Sequence, residues 1–226
     1  MNKLIIVGAG GLGRETLQWA LQSTGLKKEW DVVGFIDDNL KALEALDYSY
    51  PILGTIRGWE PKSDERFVIS IGSPKIKKGI AEELLKKGAV FTSIIHRTVT
   101  IAATSKLGRG IILCPNAVLS DSCKIGDHAA INISTSIGHD AVVGTYATLS
   151  SFCDITGGVS LGEGVFFGSS VSIIPQRKVG AYAFVCAGSC VMNNIPPETT
   201  VMGVPAKKFS IQGSETTENC ARAKCE

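Results

Sequence analysis

From Ile101 onward, every sixth residue is aliphatic or Phe: Ile101, Leu107, Leu113, Leu119, Ile125, Ile131, Ile137, Val143, Leu149, Ile155, Leu161, Phe167, Ile173, Val179, Val185 and Val191. At roughly even odds per position, an unbroken run of this length would arise by chance less than about once in ten thousand. A helix repeats every 3.6 residues and a strand every two, so neither accounts for a period of six. A parallel β-helix of triangular cross-section does. Each hexad forms one short strand and one corner, and three hexads close a coil of about 18 residues. The residue after the anchor is Gly at 108, 126, 138, 144, 162, 168 and 180, and the fourth after it is mostly small or β-branched, as at Ala117, Ala129, Thr135, Ala141 and Val159. The anchors are therefore expected to fill a narrow interior and the small residues to keep the corners tight. Residues 101–196 make about five coils, stacked to a prism about 25 Å tall. A solenoid needs its ends covered. The preceding domain is expected to cover one end and the Pro-containing segment 196–209 the other.

Residues 3–94 read differently. Segments 3–7, 31–36 and 67–71 are apolar strands, with a last strand at 90–94, and segments 12–22 and 76–87 are helices. Alternation of this kind implies a parallel sheet with helices on its faces. At about 95 residues it is roughly half of a dinucleotide-binding fold. The run Gly8-Ala9-Gly10-Gly11-Leu12-Gly13 follows a strand and opens a helix. Backbone N–H groups of this loop and the helix N-terminus suit a phosphate. Asp37 and Asp38 end the second strand, where a carboxylate can accept from a ribose hydroxyl or a base N–H. Gly54 lies at the same edge. A nicotinamide dehydrogenase is disfavoured, because the sheet is too small for both halves of a dinucleotide and no domain for hydride chemistry follows. A nucleotide-sugar fits the space, and a tight turn without ligand is the plain alternative. The expected organisation is a Rossmann-like nucleotide-sugar-binding domain at 1–95, a left-handed parallel β-helix at 96–209, and a mobile tail at 210–226.

Composition excludes several classes. A net charge of +2 with no Lys/Arg run longer than two argues against nucleic acid. No stretch of 18 apolar residues is present, so no membrane span is expected, and the N-terminus lacks a signal-peptide pattern. Cytoplasmic location is the resulting expectation. The seven Cys form no C-x-x-C pair, so they are read as reduced thiols rather than zinc ligands.

Only three His occur: His96, His128 and His139. His96 falls in the linker. His139 is followed by Asp140, near a corner of the repeat. An imidazole can take a proton from an attacking amine or hydroxyl, and an adjacent carboxylate can orient the ring. A solvent-exposed His beside an Asp with no chemistry is the competing reading. A zinc site needs three converging His, and only two lie in the repeat region, so no metal is expected.

These segments together resemble the NeuD/PglD-type sugar acyltransferases, which include sialic acid O-acetyltransferases and N-acetyltransferases acting on UDP-4-amino sugars. The resemblance spans residues 3–209. It rests on the opening Ile5-Ile6-Val7-Gly8-Ala9-Gly10-Gly11, on Gly34-Phe35-Ile36-Asp37-Asp38, on the uninterrupted hexads, on His139-Asp140 and on the closing Gly203-Val204-Pro205-Ala206-Lys207. It implies a homotrimer with active sites between subunits. It implies His139 as general base, sharpened by Asp140. It places the acetyl-CoA groove at Thr148, Ser169 and Ala187, and Asn132 near the acceptor. Gly10, Gly11 and Leu12 would hold the nucleotide-sugar phosphates, and Asp37, Asp38 and Gly54 the base and ribose. Many members carry His where this chain has Leu12, and the better-known amino-sugar enzyme has a groove His where this chain has Thr148. The activity so implied is transfer of acetyl from acetyl-CoA to the amino group of a nucleotide-linked sugar. The alternatives are O-acetylation of sialic acid or another sugar, and a non-enzymatic nucleotide-binding solenoid scaffold.

Overall fold

The computed structural model describes residues 1–23 and 30–209; residues 24–29, and 210–226 with the expected tail, lie outside the described residues. The chain opens with β1 (Asn2–Val7), α1 (Gly11–Leu21), β2 (Trp30–Ile36), β3 (Ile52–Gly54), β4 (Glu65–Ile69) and α2 (Pro74–Lys86). The four strands form a parallel sheet in the order β3-β2-β1-β4. From Leu4 to Val7, β1 is an unbroken apolar run because both of its faces are covered there. Leu4 and Ile6 pack with Leu17 and Ala20 of α1, and Ile5 and Val7 pack with Ala81 and Leu84 of α2.

Two segments differ from the sequence reading. β3 is only three residues long and pairs with Phe35 and Ile36, too short to show a period. The strand expected at 90–94 does not form in the α/β sheet. Phe91 makes a single bridge to Phe67. Ile94–Ile95, numbered β5, pairs instead with Ile112–Leu113 and begins the solenoid.

The solenoid is a left-handed β-helix with three faces of eight, six and five strands. The first face holds β5, Ile112–Leu113, Ala130–Ile131, Thr148–Leu149, Phe166–Phe167, Phe184–Val185 and Thr200–Met202, closed by the antiparallel Lys207–Lys208. The second face includes Val118–Leu119, Ser136–Ile137 and Asp154–Ile155. The third includes Lys124–Ile125, Val142–Val143 and Ser160–Leu161. Pairing in register, such as Lys124 with Val142 and Val142 with Ser160, sets the coil at 18 residues. Fourteen of the sixteen anchors are buried; Ile101 is half-buried and Leu107 is 36% exposed at the first coil.

The turn itself falls elsewhere than the sequence suggested. Left-handed backbone recurs at the third residue after most anchors, including Asn116, Ser122, His128, Ser134, Asp140 and Tyr146. Asn, Asp and Ser tolerate that region better than most side chains. The glycines that follow the anchors answer to coil-on-coil approach instead: a Cβ on Gly126 would stand 2.5 Å from the Thr145 nitrogen of the next coil.

The α/β domain lies against the first face, not over the end of the prism as expected. Ile94, Ile112, Cys114 and Ala130 share one core with Leu4, Leu17 and Phe35. The outward positions of this face are apolar in its first coils, which supplies a flat surface to bury. At the far end, Thr200–Met202 continues the first face and Ala206 packs on the solenoid core.

His128 is caught in this junction. It is 5% exposed, with Phe91 edge-on at 4.6 Å and Tyr146 stacked at 5.4 Å. Burial pulls its pKa from 6.5 down to about 4. Between those values the unfolded chain binds the extra proton and the folded chain does not. This contribution to stability is present above about pH 6.5 and is lost as pH falls through about 4. Urea unfolding midpoints measured from pH 7 to pH 4 should therefore fall, and a His128→Asn variant should show a shallower fall.

Candidate functional site

The switch in strand order lies between β1 and β4, because the chain runs outward from β1 through β2 and β3 and then returns to β4. Ligands of open parallel sheets sit at such a point, outside the carboxyl ends of the strands. The four glycines of the Gly-rich loop have different causes. Gly8 adopts φ +99°, which favours glycine. A Cβ on Gly13 would press on the Gly8 carbonyl carbon at 2.9 Å, so Gly13 lets α1 approach β1. Gly10 and Gly11 would meet nothing within 4 Å. Among the described residues nothing fills that space, which leaves open room at the start of α1. Gly10 is the N-cap and provides no side-chain hydrogen bond, so the first-turn N–H groups lack the usual capping oxygen. A phosphate has the charge and acceptors to take that place.

Asp37 and Asp38 flank this opening, and both are already bonded to backbone. Asp37 accepts from Ala9 N–H at 2.7 Å and from Asn39 N–H at 2.8 Å, which ties the Gly-rich loop to the end of β2. Asp38 accepts from Ile56 N–H at 3.0 Å. The Gly54 carbonyl accepts from Asp37 N–H at 3.0 Å, and the Trp59 ring lies 3.3 Å from where a Gly54 Cβ would be. Leu12 is half-buried in the first turn of α1. The fold thus gathers Gly10, Gly11, Leu12, Asp37, Asp38 and Gly54 at one edge of the sheet.

His139 stands on the corner between the second and third faces, in the stack Asp121, His139, Gly157, each one coil apart. Its Nδ1 lies 2.8 Å from Asp140 Oδ2. The left-handed turn at Asp140, φ 60°, sets that carboxylate beside the ring. With Nδ1–H donated to Asp140, Nε2 is left as the basic nitrogen. Below, Asp140 N–H donates to the Asp121 carbonyl at 2.9 Å. The Asp121 carboxylate is held by Thr104 Oγ1 at 2.5 Å and Ser122 Oγ at 2.9 Å, and these donors lower its pKa, with a smaller contribution from His139. Above, the imidazole overlies Gly157: a Cβ there would sit 2.7 Å from His139 Cε1. Sequence reading missed Gly157 and Asp121. Both could have been found by counting 18 residues either way from His139.

The remaining residues fall on other elements. Ser169 and Ala187 lie one coil apart on the corner between the first and second faces, half-buried and exposed respectively. Asn132 begins the same corner two coils earlier, and its Oδ1 accepts from Ile133 N–H at 2.7 Å. Thr148 is on the first face, 7% exposed beneath the α/β domain, with its hydroxyl bonded to Lys77. Within one chain, then, the Ser169–Ala187 corner and the His139 corner are different edges of the prism, a full face apart. The His139 and Asp140 side chains are 69% and 66% exposed. His96 bonds Thr98 Oγ1 and Gln22 Oε1 and meets Trp19 edge-on, so it joins the two domains. Among the described residues no group of three His, Cys, Asp or Glu is arranged to hold a metal ion, and no helix is long and apolar enough to cross a membrane.

Gly157 gives a direct test of the His139 geometry. Gly157→Ala should push the ring off its seat without disturbing the coil, because the collision is with a side chain and the backbone there is ordinary. Acyl transfer should fall by about tenfold or more, with the thermal midpoint little changed. An unchanged turnover would mean that the ring does not need this position.

Comparison with known proteins bears on all of this. Residues 3–84 match the PglD N-terminal domain. The chain is 28% identical over 218 residues to a GDP-perosamine N-acetyltransferase of Escherichia coli, covering 92% of this chain and 97% of the relative. It is 33% identical over 119 residues to a serine acetyltransferase of Salmonella typhimurium, which involves 52% of this chain and 40% of the relative. Among solved structures, PerB of Caulobacter crescentus in complex with CoA and GDP-perosamine superposes with TM-score 0.82 at 24% identity, over 93% of this chain and 98% of that one. The acetyltransferase domain of PglB from Neisseria gonorrhoeae superposes with TM-score 0.83 at 22% identity, over 92% of this chain and 100% of that one. The chain thus joins a PglD N-terminal domain at residues 3–84 to a left-handed β-helix, and is similar over nearly its whole length to N-acetyltransferases of the NeuD/PglD type.

Proposed function

We propose that the protein moves the acetyl group of acetyl-CoA onto the amino group of a nucleotide-linked sugar, with His139 as general base. The observation that carries this reading is the His139–Asp140 pair at 2.8 Å with Nε2 left over the bare backbone of Gly157. The whole-length similarity to an enzyme named for GDP-perosamine supports an amino-sugar acceptor on a nucleotide. Residues 1–95 hold the nucleotide-sugar, through Gly10, Gly11 and Leu12 at the phosphates and Asp37, Asp38 and Gly54 at base and ribose. Residues 96–209 carry the transfer. Ser169 and Ala187 line the acetyl-CoA groove and Asn132 lies near the acceptor, whereas the Thr148 hydroxyl is taken up by Lys77.

The exposure of His139 in a single chain, and its distance from the groove corner, support an active site shared between subunits. In a cyclic trimer the groove edge of one prism faces the His139 edge of its neighbour. The reaction is direct. The sugar amine attacks the thioester carbonyl as His139 Nε2 takes its proton, and Asp140 stabilises the imidazolium. The tetrahedral intermediate collapses, the C–S bond breaks, and the thiolate of CoA leaves and regains a proton from His139. Holding both substrates in one cleft supplies proximity. No enzyme nucleophile and no metal is required. Acetyl-CoA as co-substrate fits a cytoplasmic site of action.

His139→Ala should lower kcat by about 100-fold or more, the usual worth of general acid–base catalysis, while the KM for the nucleotide-sugar and the assembly state persist. Near-wild-type turnover in this variant would overturn the assignment.

A further inference from the structure

The first turn of α2 carries Lys75, Lys77 and Lys78, and all three turn toward the solenoid. Lys78 Nζ pairs with Glu163 at 2.7 Å, and Tyr182 OH bonds the same carboxylate. Lys75 Nζ stands 5.8 Å from the centre of the Tyr182 ring. Lys77 is different in kind. It is 0% exposed and has no carboxylate partner among the described residues. Its Nζ donates to the His128 carbonyl at 3.1 Å, the Ala147 carbonyl at 3.2 Å and Thr148 Oγ1 at 2.9 Å. Three acceptors match the three N–H groups of an ammonium. Burial pulls the amine's pKa down to about 7. Lysine is seldom fully buried, and a Met would fill the same space without desolvating a charge. A buried polar contact of this sort fixes one arrangement where an apolar surface would allow several.

Lys77 joins two places that the reaction must hold in register. Through α2 it is rigidly attached to the carboxyl edge of β4, next to the Gly-rich loop on β1. Through its amine it is attached to Thr148 on the first face. We propose that Lys77 is a positioning residue, which sets the nucleotide-sugar site at a fixed distance from the acyl-transfer face by seating α2 on Thr148 and its two neighbouring carbonyls. This inference rests on the proposed function for what the two sites hold, and on the hydrogen bonds alone for the docking.

The test is Lys77→Met in the full chain, which keeps the stem and removes the donors. Two readouts are needed: steady-state kinetics with acetyl-CoA and GDP-perosamine, and amide hydrogen exchange across α2 and residues 128–148. Positioning predicts faster exchange in both segments, kcat lowered about tenfold or more, and acetyl-CoA KM changed less than about threefold. Unchanged exchange and unchanged kcat overturn the proposal. So does a variant whose KM values rise together with kcat preserved, since that reports general loosening. If the wild-type protein does not acetylate this sugar, the functional reading fails while the exchange experiment still decides whether Lys77 sets the docking. Should Lys77→Met fail to fold, Thr148→Val removes one acceptor of the same volume. It should reproduce the exchange and kcat effects in weaker form, and wild-type behaviour in that variant would equally overturn the proposal.

Discussion

Everything in this molecule depends on the strict 18-residue stacking of one coil on the next. Parallel pairing holds each strand to the strand one coil away, from Lys106–Lys124–Val142–Ser160–Lys178 on one face to Thr100–Val118–Ser136–Asp154–Ser172–Cys190 on another. The corners have no freedom to slide, because glycines such as Gly126 bring successive backbones too close for any side chain. A residue's height and edge on the prism therefore follow from its number alone. That rigidity fixes the His139 ring, which is located by the coil below through Asp121 and by the coil above through Gly157, and oriented within its own coil by Asp140.

The same rigidity separates functions. The α/β domain occupies the first face in its early coils, where Ile112, Cys114 and Ala130 are apolar. The His139 corner lies between the other two faces. A single chain thus presents the Ser169–Ala187 corner and the His139 imidazole on different edges, and in the proposed function an acyl donor along the first of these reaches a base only on an adjoining prism. The domain junction carries an unusual density of polar and aromatic groups, with His128 between Phe91 and Tyr146 and Lys77 beneath them. Such a junction sets an angle as well as an attachment.

Much of this was legible in the residues. The hexad anchors announce the solenoid because the interior of a triangular prism is filled by one side chain per face, and a single polar anchor would show as a break. The Gly-rich loop announces itself because Gly8 and Gly13 answer to backbone geometry and Gly10 and Gly11 to empty space. Other features were not legible for physical reasons. β3 is three residues long and has no period. Ile94–Ile95 is apolar like any strand, and only tertiary pairing assigns it to the solenoid. The side-on docking of the α/β domain depends on the outward residues Ile112 and Ala130, which the inward anchors do not reveal. Lys77 reads as one cation in a basic helix start until its three acceptors are seen. Thr148 reads as a groove residue by resemblance, whereas its hydroxyl is bonded to Lys77.

The central claim is that the base of one subunit serves the groove of another. Subunit mixing measures this most directly. His139→Ala chains and Ala187→Trp chains, each inactive alone because one lacks the base and the other has a blocked groove, are co-refolded or co-expressed in equal amounts. A shared site predicts that about a quarter of the interfaces are intact, with that fraction of wild-type turnover recovered. Absence of any recovery from mixed assemblies whose subunit exchange is confirmed by mass would show that base and groove belong to the same chain, and would contradict the account.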